Sequence, residues 1–170
     1  MSRIFSLATI AFIGSLMILS CKKDSAVVVP VNKGVITGLP SNTGTAFKVS
    51  DENIFLEKVW STDSVPVPIY RLNAILNKNP DRIFSLTFRG PLKFNTYGLG
   101  SKQAQASYQI GTGVNDLYTT TTDSSIISGL VNFTTYSADT LIGTYHVTVK
   151  NPIGNKIDIN GGSFNCTFIK

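Results

Sequence analysis

The chain reads as an all-β protein, an antiparallel β-sandwich of roughly ten short strands preceded by an export signal. Three observations predict this. From Lys33 onward, apolar and polar residues alternate with period two in one run after another. Clusters of Asn, Asp, Gly and Pro separate the runs, as in Asn77-Lys78-Asn79-Pro80-Asp81. No stretch of that region keeps a helical period over three turns. One apolar and one polar face per strand favours antiparallel sheets. A small closed β-barrel is the alternative that the same pattern allows.

The elements follow in chain order. Met1 to Ser20 carries Arg3 and then an uncharged run rich in Ile, Leu, Phe and Ala, the layout of an export signal. Ile18-Leu19-Ser20-Cys21 resembles a lipobox, in which a signal peptidase cuts before the cysteine and the thiol carries a diacylglycerol. Cys21 is then the first mature residue and a lipidation site, and Lys22-Lys23-Asp24 is the charged segment behind it. Several acyl chains on one residue hold a soluble domain at a membrane, where one chain would be marginal. The rival is an uncleaved helical anchor, since about 17 apolar residues is the lower limit for spanning a bilayer. Residues 21–33 form the lipidated Cys and an extended tether. In it, the β-branched residues and Pro30 of Ala26 to Val31 disfavour helix. Residues 34–170 form a single all-β domain.

Within that domain the expected strands are Thr45 to Ser50, Ile54 to Trp60, Ile69 to Leu76 and Arg82 to Phe88, the last two joined as a hairpin. Ala104 to Ile110, Leu117 to Thr122, Ile126 to Tyr136, Leu141 to Lys150, Lys156 to Ile159 and Ser163 to Ile169 follow. Asn151-Pro152-Ile153-Gly154-Asn155 and Asn160-Gly161-Gly162 punctuate the end as turns.

Composition narrows the function. In 170 residues, 42% hydrophobic and 15% charged residues make a globular chain of one domain rather than a disordered one. The net charge of +5 is spread along the sequence, and no basic cluster accompanies an aromatic stacking platform, so no nucleic-acid partner is expected. There are two cysteines, Cys21 and Cys166. With Cys21 acylated, Cys166 has no intramolecular partner. It alternates on one face with Phe164 and Phe168, as a buried apolar residue does.

No motif specifies catalysis, a metal or a cofactor. His146 is the single histidine and falls on the polar face of "GTYHVTV". A Cys-His device would need Cys166 on the same face. Zinc needs at least three ligands, commonly His or Cys, and calcium an oxygen-rich loop; neither set is present in the sequence. Asp51, Glu52, Glu57 and Asp63 lie close in sequence, and a hydrolase would draw its carboxylate pair from them. Gly98-Leu99-Gly100 and Gly111-Thr112-Gly113 precede no helix, so they are loop glycines rather than phosphate cradles. Trp60, Tyr70, Tyr97, Tyr108 and Tyr118 supply either core or a sugar-stacking platform. Asp24-Ser25-Ala26, Asp63-Ser64-Val65 and Asp139-Thr140-Leu141 repeat Asp, hydroxyl residue, apolar residue. The triplet resembles an acceptor for O-linked glycans on exported Bacteroidota proteins, which makes Ser25, Ser64 and Thr140 candidate glycosylation sites.

The last third carries a second resemblance. Gly143-Thr144-Tyr145 in one strand and Gly162-Ser163-Phe164 in the final strand are similar to the pattern of a Bacteroidota lipoprotein family known as a domain of unknown function. "TAFKVSDENIFLEKVW" resembles its opening strands and "GPLKFNTYGLG" its mid-chain Tyr-x-Leu segment. The resemblance implies an all-β fold and a lipid anchor in the outer membrane, at the cell surface or the periplasmic face. It implies no activity. The expected function is a non-enzymatic binding or interaction module with a glycan, a peptide or an envelope protein as partner. A small barrel carrying an apolar ligand and a carboxylate-based hydrolase are the alternatives.

Overall fold

A computed structural model describes residues 27–78, 81–91, 95–120, 128–137 and 140–168. Cys21, Ser25 and the expected export signal lie outside the described residues. Eleven strands and one 3-10 turn account for most of the described residues. In order they are β1 (Val27–Pro40), β2 (Phe47–Ser50), β3 (Ile54–Trp60), β4 (Pro68–Lys78), β5 (Asp81–Arg89), β6 (Thr96–Leu99), β7 (Ala104–Gln109), β8 (Leu117–Thr119), β9 (Gly129–Tyr136), β10 (Thr140–Lys150) and β11 (Lys156–Phe168).

Every pairing among them is antiparallel, and the order across the sheet is β11-β1-β3-β4-β5-β7-β8-β10-β9-β6, with β2 also on β1 and β10 also on β11. The long β1 joins two layers. Its first residues, Val27 to Pro30, pair with β3. Its later ones pair with β11 on one side and with β2 on the other. One layer is therefore β3-β4-β5-β7-β8 and the other β2-β1-β11-β10-β9-β6. Where β8 meets β10 the ladder is a single pair, Lys150 with Thr119. A single bridge joins the layers there, and the sheet as a whole is open and not closed into a barrel: the sandwich forms, and the barrel alternative does not.

The core is aromatic and lies between the layers. Phe84 and Phe88 of β5 and Tyr108 of β7 are at most 2% exposed, as are Leu72, Leu86 and Ile54 around them. Phe84 stacks on Tyr145 of β10 with ring centroids 4.9 Å apart, and Phe88 meets Phe133 of β9 edge-on at 5.0 Å. Phe133 in turn meets Phe164 at 5.4 Å. These rings remove large apolar areas from water and add the preference of aromatic pairs for offset and edge contacts.

The two Gly-x-aromatic segments now have a physical meaning. In the β10–β11 ladder, Gly143 faces Phe164 and Tyr145 faces Gly162. Each aromatic ring lies over the glycine of the opposite strand. A Cβ on Gly162 would sit 2.4 Å from the Tyr145 ring, so only glycine leaves room for it. Tyr145 also donates its hydroxyl to the Thr37 carbonyl oxygen at 2.7 Å, which ties β10 across β11 to β1.

Three expectations change. The tether stretch from Val27 onward belongs to β1, which enters the ladder despite Pro30, Gly34 and Gly38. Thr96–Leu99 is a strand that the alternation pattern does not reveal. Asn160-Gly161-Gly162 is not a turn: β11 runs through it with a register shift against β10, and Gly161 takes φ 56°. A bulge with glycine in the left-handed region bends a strand without ending it.

Candidate functional site

Of the five candidate platform aromatics, Tyr108 and Tyr118 are buried, and Tyr70 and Tyr97 pack against the core. Trp60 alone is exposed, at 49%. The Lys58 ammonium lies 5.3 Å from its ring and 5.7 Å from that of Tyr70. A sugar-stacking strip is therefore not assembled from these five. Strand parity explains this, since Tyr108 follows Ala104 and Ala106 onto the inner face.

His146 and Cys166 occupy opposite faces of their layer. Tyr145 and Val147 point inward, and His146 between them is exposed. Cys166 is 0% exposed, between the layers. Burial pushes its thiol up to about 12, only partly offset by backbone hydrogen bonds from Val35 and Asn165. The residue is the expected core filler. Iodoacetamide should leave Cys166 unmodified in the native protein at pH 8 and alkylate it in denaturant, as mass spectrometry would record. The folded thiol ionises above its unfolded value of 9.0, and Tyr145 likewise, by burial, above 10.0. Stability from the Cys166 thiol is complete below pH 9 and is lost as pH rises from there to about 12; that from Tyr145 is complete below pH 10 and is lost as pH rises above it. Each group contributes a slope of up to about 1.4 kcal/mol per pH unit. Cys166→Ala should flatten the alkaline limb of a stability–pH curve.

Three of the four grouped carboxylates have separate partners. Glu57 accepts from Arg71 at 2.9 Å, Asp63 pairs with Arg89, and Asp51 accepts from the Gly34 amide at 2.9 Å. Glu52 is exposed in the 3-10 turn. Among the described residues no group of three or more His, Cys, Asp or Glu could hold a metal ion. Gly111 and Gly113 bracket a turn closed by Asp116, whose carboxylate accepts from the Gly113 amide at 2.8 Å. Ser64 is exposed in the loop between β3 and β4, which closes where Ser61 and Val67 bond each other. Thr140 is half-buried at the start of β10, in register with Thr167. Ser64 is thus the more accessible of these two candidate residues.

Both outer faces of the sandwich carry troughs with polar side chains in their lining. Over β6, β9, β10 and β11 lies one of about 500 Å³, lined by Thr96, Asn132, Thr144, His146 and Ser163, with Leu130 at its side. The registers align Thr96, Asn132, Thr144 and Ser163 in one row across these four strands. Over β3, β4, β5 and β7 lies a larger one of about 620 Å³. Two rows line its floor. Phe55, Asn73, Ser85 and Ser107 form one, and Glu57, Arg71, Thr87 and Gln105 the other. Ile75, Ile83 and Gln109 close the far side.

This larger trough is preorganised. Ser85 is 6% exposed although it faces outward, and its hydroxyl donates to Asn73 Oδ1 at 2.7 Å. That bond engages the Asn73 carboxamide through its oxygen. The Glu57–Arg71 pair makes the charge nearly balanced, and Phe55, Ile75 and Ile83 add apolar ground between amides and hydroxyls. Sequence reasoning did not find this site. Its signal was the polar parity of neighbouring strands, Arg71 and Asn73 beside Ser85 and Thr87, but only the register brings those residues into rows. Comparison with protein-family models, curated proteins and solved structures finds no match, so fold and site rest on this chain's own residues.

Proposed function

We propose that the protein is a lipid-anchored module of the cell envelope, held at the outer membrane through Cys21, that binds a neutral glycan without turning it over. The trough over β3, β4, β5 and β7 carries this reading. Amides, hydroxyls and one balanced ion pair, interspersed with half-buried apolar side chains, match a ligand made of hydroxyl groups and C–H faces. A peptide adding to a sheet needs an open edge, whereas β4, β5 and β7 each use both edges in ladders. A hydrolase needs two carboxylates across a cleft; among the described residues Glu57 is the one carboxylate lining this trough, and Arg71 holds it. The open sheet and the ring-filled interior favour a surface ligand over an enclosed apolar one.

The anchor is supported by the sequence Ile18-Leu19-Ser20-Cys21 and by the resemblance to Bacteroidota lipoproteins. Two observations test the proposal. Metabolic labelling with a fatty-acid analogue should mark the wild-type protein and not Cys21→Ala, which should leave the membrane fraction; retained labelling contradicts the anchor. On an array of neutral glycans the protein should retain ligands unchanged; released reducing ends would make it a hydrolase.

A further inference from the structure

We infer that one end of the sandwich, built from Lys58, Trp60, the Ser61–Val67 loop, Arg89 and Lys102, rests on the membrane surface. The inference depends on the chain leaving a bilayer at Cys21, whether by acylation or by a helical anchor. β1 begins at Val27, directly in register with Lys58. Val27 follows Cys21 by six positions, a length that even fully extended spans only about 20 Å. The end of β1 next to Lys58 and Trp60 is therefore held close to the lipid.

Backbone bonds gather the rest of this end. Trp60 faces Pro68, and the Pro68 carbonyl accepts from Gly90, next to Arg89. The Arg89 amide donates to the Gln103 carbonyl oxygen at 2.8 Å, which brings in the loop that carries Lys102. Asp63 is neutralised by Arg89, so Lys58 and Lys102 leave this end cationic. Its exposed apolar groups are Trp60 at 49% and Val65 at 73%. Tryptophan with an amphipathic ring beside a lysine is the chemistry of the headgroup layer, and cations near it are drawn to anionic lipid. The opposite end, to which β7 leads from Ala104 to Gln109, also carries exposed apolar residues, Val114 at 84% and Ile153 at 65%, on loops tied by the Asn151 side chain to the Asn115 carbonyl, but it lies a strand length away from Val27, where the chain enters the fold. In this orientation the trough over β3, β4, β5 and β7 faces sideways and stays open to solvent.

Trp60 is the only tryptophan, so fluorescence reports on it alone. The full chain, purified from membranes, would be reconstituted into vesicles of phosphatidylethanolamine and phosphatidylglycerol with acyl chains brominated close to the headgroup. Flotation checks the anchor in the same samples. Trp60 emission should shift to the blue and fall by about twofold against unbrominated vesicles. Lys58→Gln with Lys102→Gln should weaken the quenching on anionic vesicles. A Trp60→Phe, Val114→Trp chain, with its tryptophan at the other end, should be unquenched. Flotation without quenching of Trp60 overturns the inference and leaves the anchor standing. Equal quenching at both ends overturns it too. Failure to float removes the anchor and the inference together.

Discussion

Gly143→Ala is expected to lower the unfolding free energy by about 3 kcal/mol, the upper end of what overpacking costs. A Cβ at residue 143 would come 2.4 Å from the Asn132 carbonyl oxygen and 2.5 Å from the Phe164 ring. The first neighbour is backbone in the paired strand β9 and cannot rotate away. The second is a ring only 1% exposed, held edge-on by Phe133 at 5.4 Å. Relief must come from parting β9 and β10, or from moving Phe164 out of the aromatic core. In a chain of this size the loss corresponds to a fall in Tm of roughly 10 °C. Gly161→Ala is the control. Nothing lies within 4 Å of its added Cβ, so its cost is the left-handed φ alone, about 1 kcal/mol. Urea denaturation should give Gly143→Ala a lower midpoint with an unchanged slope. Wild-type stability would contradict the pairing of β10 with β9 on one side and β11 on the other.

Much of this fold is legible in the sequence because a strand with one wet face writes its parity directly. Ile69 to Leu76 and Arg82 to Phe88 alternate cleanly, and they form the β4–β5 hairpin that pairs Leu72 with Leu86. The parity of Cys166 with Phe164 foretells its burial for the same reason. What escapes is what parity cannot carry. β1 is interrupted by glycine and proline, and its pairing with three different strands comes from tertiary contacts. β6 is four residues long, too short for a period to register. The glycines of β11 look like a turn because a bulge and a turn both ask for positive φ.

The trough was hidden for a further reason. Asn73, Ser85 and Ser107 lie 12 or more residues apart in sequence, and each looks like an ordinary solvent-facing polar residue. They become neighbours only because β4, β5 and β7 pair in one register, which the buried partners on the other face enforce: Leu72 with Leu86, and Leu86 with Ala106. A shift by one residue would turn every one of these side chains inward. The site is thus a by-product of core packing, whereas the lipobox-like segment is local and readable in a few letters. The aromatic residues went the other way. All five stand out in the sequence, and four of them serve the core.

The larger functional effect is expected from filling the trough. Ser107 is half-buried on its floor, between Ser85 and Thr119 in register. Arginine at this position would lay a long side chain over Asn73 and Gln105 while its charge stays in water, leaving the core untouched. Ser107→Arg should weaken glycan binding by at least about tenfold, some 1.4 kcal/mol, with Tm close to wild type. Thr144→Arg, on the trough of the opposite layer, should bind as the wild type does. Calorimetric titration of the three full-length proteins with a glycan retained on the array is the measurement that decides. Loss of affinity in Ser107→Arg alone supports the face of β3, β4, β5 and β7 as the ligand site. Undiminished affinity in Ser107→Arg, or a loss confined to Thr144→Arg, would contradict it.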